Sequence, residues 1–428
     1  MSFKGISWYS GLMGVVFTFI FVIVAEHILF LESSLQLRSV GVVWGGVFCF
    51  DLVSFYLVLL SVLLGISLLF WSLEMSFISG FMIVLSIFSS LLCYCCVHSV
   101  WFWVFYEMSM VPLLVLLVLE SPYSERYVAS WYLLGYVVFT SLPMLLCLFY
   151  LSLESGSFDL RFWGFGEDYA GSVVAYFILA VMFMTKIPLP PFHVWLPMVH
   201  AEASSPVSVC LSGYMMKLGV LGVFRFCSSM LPDLVFSAAY VLVCFFCASL
   251  FFFSASRELD GKRWLAFLSL CHMMVVAACL CVGDWVLGGL SFLYCLGHGL
   301  SAGAMFLFLW LVYEVSGTRN LLLLKNGVSG SSLLRVLACS CLCTACSLPP
   351  TVQFFCEVAL AGQSFFVSVL FMLVLFAFLF LGGLIPLFLL GLLLTRHCDV
   401  NYGGRCVFSS MLSVSFLIVW SFLFFLMS

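Results

Sequence analysis

The chain has 428 residues, of which 65% are hydrophobic and only 8% charged, with a mean hydropathy of +1.27. A soluble domain has about a quarter of its residues charged, so this composition excludes a soluble globular protein and points to an all-α polytopic membrane protein. The net charge of −4 gives no basis for nucleic-acid binding, and no phosphate loop, dinucleotide fingerprint or Ser/His/Asp arrangement stands in a plausible strand–helix setting.

Apolar runs long enough to span a bilayer, about 20 residues each, fall at 11–31, 51–71, 76–97, 101–119, 128–151, 171–190, 205–226, 234–253, 264–282, 288–313, 333–370, 373–395 and 407–427. The N-terminus, MSFKGISWYS, holds one lysine and no small-residue cleavage site, so no removable leader is expected. Thirteen spans put the two termini on opposite sides of the membrane. The loops on the N-terminal side collect ten cations (Lys4, Arg126, Arg257, Lys262, Arg263, Arg319, Lys325, Arg335, Arg396 and Arg405) against three on the other (Arg38, Arg161 and Arg225). That bias places the N-terminus on the cytoplasmic side or its organellar equivalent, the matrix. The 48 Phe and 20 Cys fit a T-rich coding sequence, which suggests an organelle-encoded gene.

Two spans are interrupted by proline, the sixth at Pro188, Pro190 and Pro191 and the eleventh at Pro349 and Pro350. Segment 194–205 reads as the second half of the sixth helix, returning part-way across the membrane. The breaks are five helices apart, so spans three to seven can repeat as eight to twelve. An odd number of helices per unit inverts the second copy, and inverted repeats with broken helices are a transporter signature. The expected division is N-terminal helices over 1–75, a first repeat over 76–226, a second, inverted repeat over 227–395 and a C-terminal helix over 396–428.

Ionisable groups inside these spans are costly and therefore functional candidates. Lys186 stands at the first break, and Lys217, in GYMMKLGVLG, is central in the next span and flanked by glycines. Glu107 lies in the fourth span; it reads either as an interfacial helix-end group whose side chain snorkels or as the partner of Lys186, a pair that a small shift can make or break. His272 and His298 fall in the ninth and tenth spans between Lys217 and the second break, where each is either a hydrogen-bonded structural residue or a relay group titrating near neutral pH. Glu357 follows the second break, placed to exchange protons with bulk water, and Asp51 reads as an interfacial end residue. The run CSCLCTAC from Cys339 to Cys346 has spacing that structural zinc uses, but thiols as small apolar helix side chains are much the better account of it, and no metal site is expected.

The stretch TKIPLPPFHVWLPMVHAEASSPVS resembles the signature of the antiporter-like subunits of respiratory complex I. The resemblance continues through LSGYMMKLGVLGVFRF, SASRELDGKRWLAFLSLCHM, LGHGLSAGAMFLFLWLVYE and LPPTVQFFCE, covering roughly residues 100–365. Lys217 matches the branch of that family with lysine rather than histidine at this place. The resemblance implies Glu107 and Lys186 as the input pair, Lys217 as the central-axis lysine, His272 and His298 as connecting groups and Glu357 as the exit carboxylate. It also implies a subunit of an NADH:ubiquinone reductase in the mitochondrial inner membrane that binds no cofactor itself, with NADH, flavin, iron–sulfur clusters and ubiquinone held by other subunits. Its expected partners are antiporter-like membrane-arm subunits on either side, accessory subunits and lipids such as cardiolipin. The family fold has fourteen helices, so the first family helix is expected to be missing here, and Ser204 and Ser205 replace part of the family's Ala-Pro, shifting the proline to Pro206. A multisubunit cation/proton antiporter shares the same buried groups and is the alternative; a membrane scaffold with relic lysines and a metal-binding redox enzyme are the weaker rivals.

Overall fold

The computed structural model describes residues 42–44, 46–71, 75–121, 124–163, 170–227, 236–282, 288–329, 331–395 and 408–424. The expected first span, 11–31, lies outside the described residues. Val42–Trp44 (β1) and Phe48–Phe50 (β2) form a small antiparallel hairpin that the sequence reading did not foresee. Helices follow at Leu52–Leu69 (α1), Phe77–Cys95 (α2), Ser99–Glu120 (α3), Arg126–Ser155 (α4), Ala170–Lys186 (α5) and Trp195–Glu202 (α6). The helix α7 runs over Ser205–Cys227, and Ala238–Arg257 (α8), Gly261–Val282 (α9) and Gly288–Ser316 (α10) come next. Leu321–Ser329 (α11), Ser332–Ala345 (α12), Val352–Val367 (α13), Val369–Leu394 (α14) and Phe408–Leu423 (α15) complete the chain. Among the described residues nine helices are long and apolar enough to cross a membrane, with four shorter apolar ones.

Both proline-interrupted spans are broken, as read from the sequence. The sixth is α5 and α6, separated by 187–194; the eleventh is α12 and α13, separated by 346–351. Each break contains a cis Pro-Pro bond, Pro190–Pro191 and Pro349–Pro350. The short α11 was not foreseen, and the twelfth span begins at Val369, directly after Ser368, instead of at 373. Ser368 is itself the reason: its hydroxyl accepts from the Phe371 amide at 3.0 Å and starts a new helix there.

The helix α10 is the axis of the bundle, its whole apolar window enclosed by other helices. Small residues let its neighbours approach, as expected where packing rather than water drives helix association. A Cβ on Gly303 would stand 2.6 Å from Leu64 of α1, and one on Gly297 would stand 2.9 Å from Gln353 of α13. At one end Trp71, just past the C-cap of α1, stacks on Trp310 of α10 with ring centroids 3.7 Å apart, and its indole N–H donates to Ser413 of α15 at 2.7 Å, which seats the last helix. At the end rich in loop cations, Arg319 donates to the Ala201 carbonyl at 2.7 Å and Lys262 to the Ala203 carbonyl at 2.8 Å, so the last turn of α6 is capped by cations. At the opposite end Arg225 of α7 pairs with Asp51, the N-cap of α1, at 3.2 Å, and donates to the Tyr94 carbonyl at 2.8 Å. Asp51 therefore ties three helices together rather than merely ending one.

The helices α5 and α7 meet through glycine: a Cβ on Gly222 would lie 2.2 Å from the Phe183 ring. Gly222→Val should force this contact apart at a cost of about 1–3 kcal/mol, whereas Gly391→Val, at a site with nothing within 4 Å, should be tolerated. Thermal aggregation midpoints of the two variants in detergent would separate them; equal midpoints would remove the close-packing argument.

Candidate functional site

A helix that stops inside an apolar medium leaves backbone groups without partners, and each unsatisfied group costs several kcal/mol. Side chains supply the missing partners at both breaks. At the first, Trp195 donates its indole N–H to the Thr185 carbonyl at 2.9 Å and the Tyr240 hydroxyl donates to the Pro190 carbonyl at 2.8 Å. At the second, the Thr351 hydroxyl donates to the Leu348 carbonyl at 2.8 Å. The two breaks also share local geometry. Leu189 N–H reaches the Met184 carbonyl at 3.4 Å and Leu348 N–H reaches the Cys343 carbonyl at 3.1 Å, each five residues back. The letters match as well: Thr185-Lys-Ile-Pro-Leu-Pro-Pro against Thr344-Ala-Cys-Ser-Leu-Pro-Pro.

Lys186 is the last residue of α5, held at the first break. Its ammonium donates to Glu107 Oε1 at 2.9 Å and lies 3.6 Å from the centre of the Tyr106 ring. Glu107 sits in the middle of α3, its side chain 13% exposed against 4% for Lys186, so the pair is an internal one and not an interfacial helix end. A Cβ on Gly219 would stand 2.8 Å from Ile187, so the helix of Lys217 passes directly beside the residue after Lys186.

Lys217 is fully buried and, among the described residues, pairs with no carboxylate. Its ammonium donates to the Ser212 carbonyl and lies 3.0 Å from His298 Nδ1 on α10. The carbonyl is free because Leu211–Met215 makes one π-helical turn, in which Met216 N–H bonds to the Leu211 carbonyl and passes over that of Ser212. As acceptor from the ammonium, His298 bears its ring proton on Nε2 when neutral. The His272 ring of α9 lies 5.4 Å from that of His298, centre to centre. Between them is a cavity of about 10 Å³ lined by Ser269 and Ser301 among others, with room for a single water.

Glu357, on the first turns of α13, accepts from the Ser347 hydroxyl at 2.8 Å and the Tyr294 hydroxyl at 3.2 Å. Neither donor was singled out in the sequence. Tyr294 stands one turn before His298 on α10, a spacing that puts both on one face. That i, i+4 pairing was the available signal. His200 of α6 was also passed over; it is fully buried, stacked on Phe306 at 4.9 Å, and neither ring nitrogen has a hydrogen-bond partner among the described residues. The structure thus joins Glu107 to Lys186, Lys217 to His298 and His298 to His272, and sets Glu357 of α13 against Tyr294, one helical turn before His298 on α10. Cys339, Cys341 and Cys343 lie along α12 and Cys346 caps it, all as free thiols. No group of three or more His, Cys, Asp and Glu among the described residues is placed to hold a metal ion.

Residues 97–383 match a family model described as NADH:quinone oxidoreductase/Mrp antiporter, TM. The chain belongs to this family. Among curated relatives, the NADH-ubiquinone oxidoreductase chain 4 of Rhipicephalus sanguineus is 30% identical over 292 residues, 67% of this chain and 66% of that relative. The chain 4 of Locusta migratoria is 31% identical over 232 residues, 53% of this chain and 51% of its own length. The matched stretch thus spans about half to two thirds of these relatives. In fold, the family likeness extends to a subunit in the Mrp complex from Dietzia sp. DQ12-45-1b, with a TM-score of 0.79 at 14% identity over 97% of this chain and 90% of that one. A chain of respiratory complex I from Thermus thermophilus with bound NADH gives 0.78 at 21% identity, covering 96% and 94%.

Removing one member of a buried ion pair leaves the other uncompensated, at about 3–5 kcal/mol, whereas replacing both can be nearly neutral. Lys186→Met should therefore reduce the amount of folded chain in membranes by several fold, and adding Glu107→Gln should restore most of it. Quantitative immunoblots of both variants test this; a double variant as depleted as the single one would refute the uncompensated-charge argument.

Proposed function

We propose that the chain is the antiporter-like subunit 4 of NADH:ubiquinone oxidoreductase, moving protons across the membrane while quinone is reduced in other subunits. The observation that carries this is the buried Glu107–Lys186 pair at a helix break, with Lys217 against His298, His272 beside His298, and Glu357 bonded to Tyr294 one turn away on α10. The chain 4 relatives and the family match support the same reading. The likeness of the two breaks supports two inverted five-helix repeats, 76–226 and 227–395, as their common frame.

A proton reaching Glu107 neutralises the carboxylate and removes the Coulomb attraction on the Lys186 ammonium. Lys186 then gives up its own proton toward Lys217, whose helix lies against residue 187. From Lys217 the proton passes to His298 Nδ1, while the ring releases its Nε2 proton toward His272 or the adjoining cavity. Tyr294 and Ser347 present hydroxyls to Glu357, which completes the route to the far side. NADH, flavin, iron–sulfur clusters and ubiquinone belong to other subunits in this reading, which makes the chain part of a translocase without a redox centre of its own. It resides in the mitochondrial inner membrane, with the cation-rich end that holds Arg126, Lys262 and Arg319 facing the matrix, alongside neighbouring membrane-arm subunits, accessory chains and cardiolipin-type lipids.

In the isolated complex reconstituted into vesicles, Lys217→Ala should lower proton uptake per NADH and slow coupled NADH oxidation about tenfold or more. An unchanged ratio of protons to NADH would overturn the reading. The Mrp-type fold keeps one alternative in view, a cation/proton antiporter subunit. On a native gel the chain should migrate with NADH-oxidising activity; migration apart from it, together with sodium-dependent proton flux, would favour the antiporter.

A further inference from the structure

We propose that Tyr214 is a positioning residue whose hydroxyl, through Ser86, holds the π-helical turn of α7 open and so aims the Lys217 ammonium. The inference rests on the proton-translocating role proposed above for Lys217. Tyr214 lies inside the turn, three residues before Lys217, and is fully buried. Its hydroxyl stands 2.6 Å from Ser86 Oγ of α2, and Ser86 in turn donates to the Ser109 carbonyl of α3 at 2.5 Å. With that carbonyl accepting the Ser86 proton, the Tyr214 hydroxyl donates to Ser86. The bridge therefore runs from the turn beneath Lys217 to the helix that holds Glu107, ending two residues beyond it.

A π turn inserts one extra residue into the helical ladder and persists only where its surroundings hold it. On one side the hold is steric. A Cβ on Gly213 would lie 2.4 Å from Leu64, and one on Gly299 of α10 would lie 3.0 Å from the Gly213 carbonyl, so the turn is pressed between α1 and α10. On the side of α2 and α3 the hold is the Tyr214–Ser86–Ser109 bridge. If the turn reverts to α-helix, Met216 N–H takes the Ser212 carbonyl, and Lys217 swings about 100° around the helix axis. Both changes withdraw the ammonium from Ser212 and from His298 Nδ1. The ionisable side chains that face Lys217 are His298 and Cys295 from α10, His272 from α9 and His200 from α6. The Ser212 carbonyl is a fixed acceptor that stabilises the charged amine at every pH.

The test uses the whole complex in vesicles, with Tyr214→Phe, Ser86→Ala and the double variant beside Lys217→Ala as reference. Each single variant should assemble and pump three- to tenfold more slowly, with the alkaline limb of the pumping rate displaced about one pH unit toward neutral. The double variant should be no slower than the slower single one, since both break the same bridge. Wild-type rates and pH profile in Tyr214→Phe, or rate losses that multiply in the double variant, would overturn the proposal. If Tyr214→Phe fails to assemble, Ser86→Ala decides alone by the same rate and pH readings. Pumping that survives Lys217→Ala would instead overturn the function on which the inference rests, so the two failures are distinguishable.

Discussion

The buried contact between Glu107 and Lys186 is the interaction around which the rest of the structure is arranged. An ammonium and a carboxylate taken out of water are tolerable only with close geometry and further polar contacts. The helix break at 187–194 makes that geometry possible, because it ends α5 at Lys186 and leaves the long side chain free to reach α3. The Tyr106 ring adds a cation–π contact to the same ammonium. The pair and the break therefore depend on each other. A continuous helix would remove the local freedom, and an unpaired lysine would leave a charge at the point where the backbone is already interrupted.

The second break does different work from the same local geometry. Where the first has Lys186, the second has Ala345, and the polar group next to it is Ser347, turned toward Glu357. One break presents a cation to an internal partner; the other presents a hydroxyl to a carboxylate. In the proposed route, matched frames with unlike side chains would stand at two different ends. The far end of α7 is held by Arg225 against Asp51, Ser54 and the Tyr94 carbonyl, so the helix of Lys217 is anchored at that end.

Composition, the proline clusters and the isolated charges made the membrane class, the two breaks and the six candidate residues legible, because each breaks a rule that an apolar medium enforces. Contacts that break no rule were not legible. Tyr94, Tyr106 and Tyr214 are ordinary residues of apolar helices, and nothing in the letters says that Tyr214 meets a serine. The π turn has no proline to announce it; Leu64 and Gly299 of α10, which press on Gly213, lie far from it along the chain. The pairing of Lys217 with His298 is of the same kind, 81 residues apart. The hairpin at 42–50 and the short α11 were missed because apolar runs hide short elements between long ones.

Burial of α10 ties packing to chemistry. This helix presents Tyr294 to α13 and His298 to α7, so the distances between successive polar groups are set by how closely those helices lie against it. Gly297 and Gly299 set that closeness, since a Cβ at either would meet Gln353 or Leu60 at less than 3 Å. Hydrogen bonds weaken steeply with distance and misalignment, and a hydroxyl or imidazole displaced by one methyl group no longer hands a proton to its neighbour directly. The absence of side chains at these two positions therefore matters to the spacing that the proposed route needs.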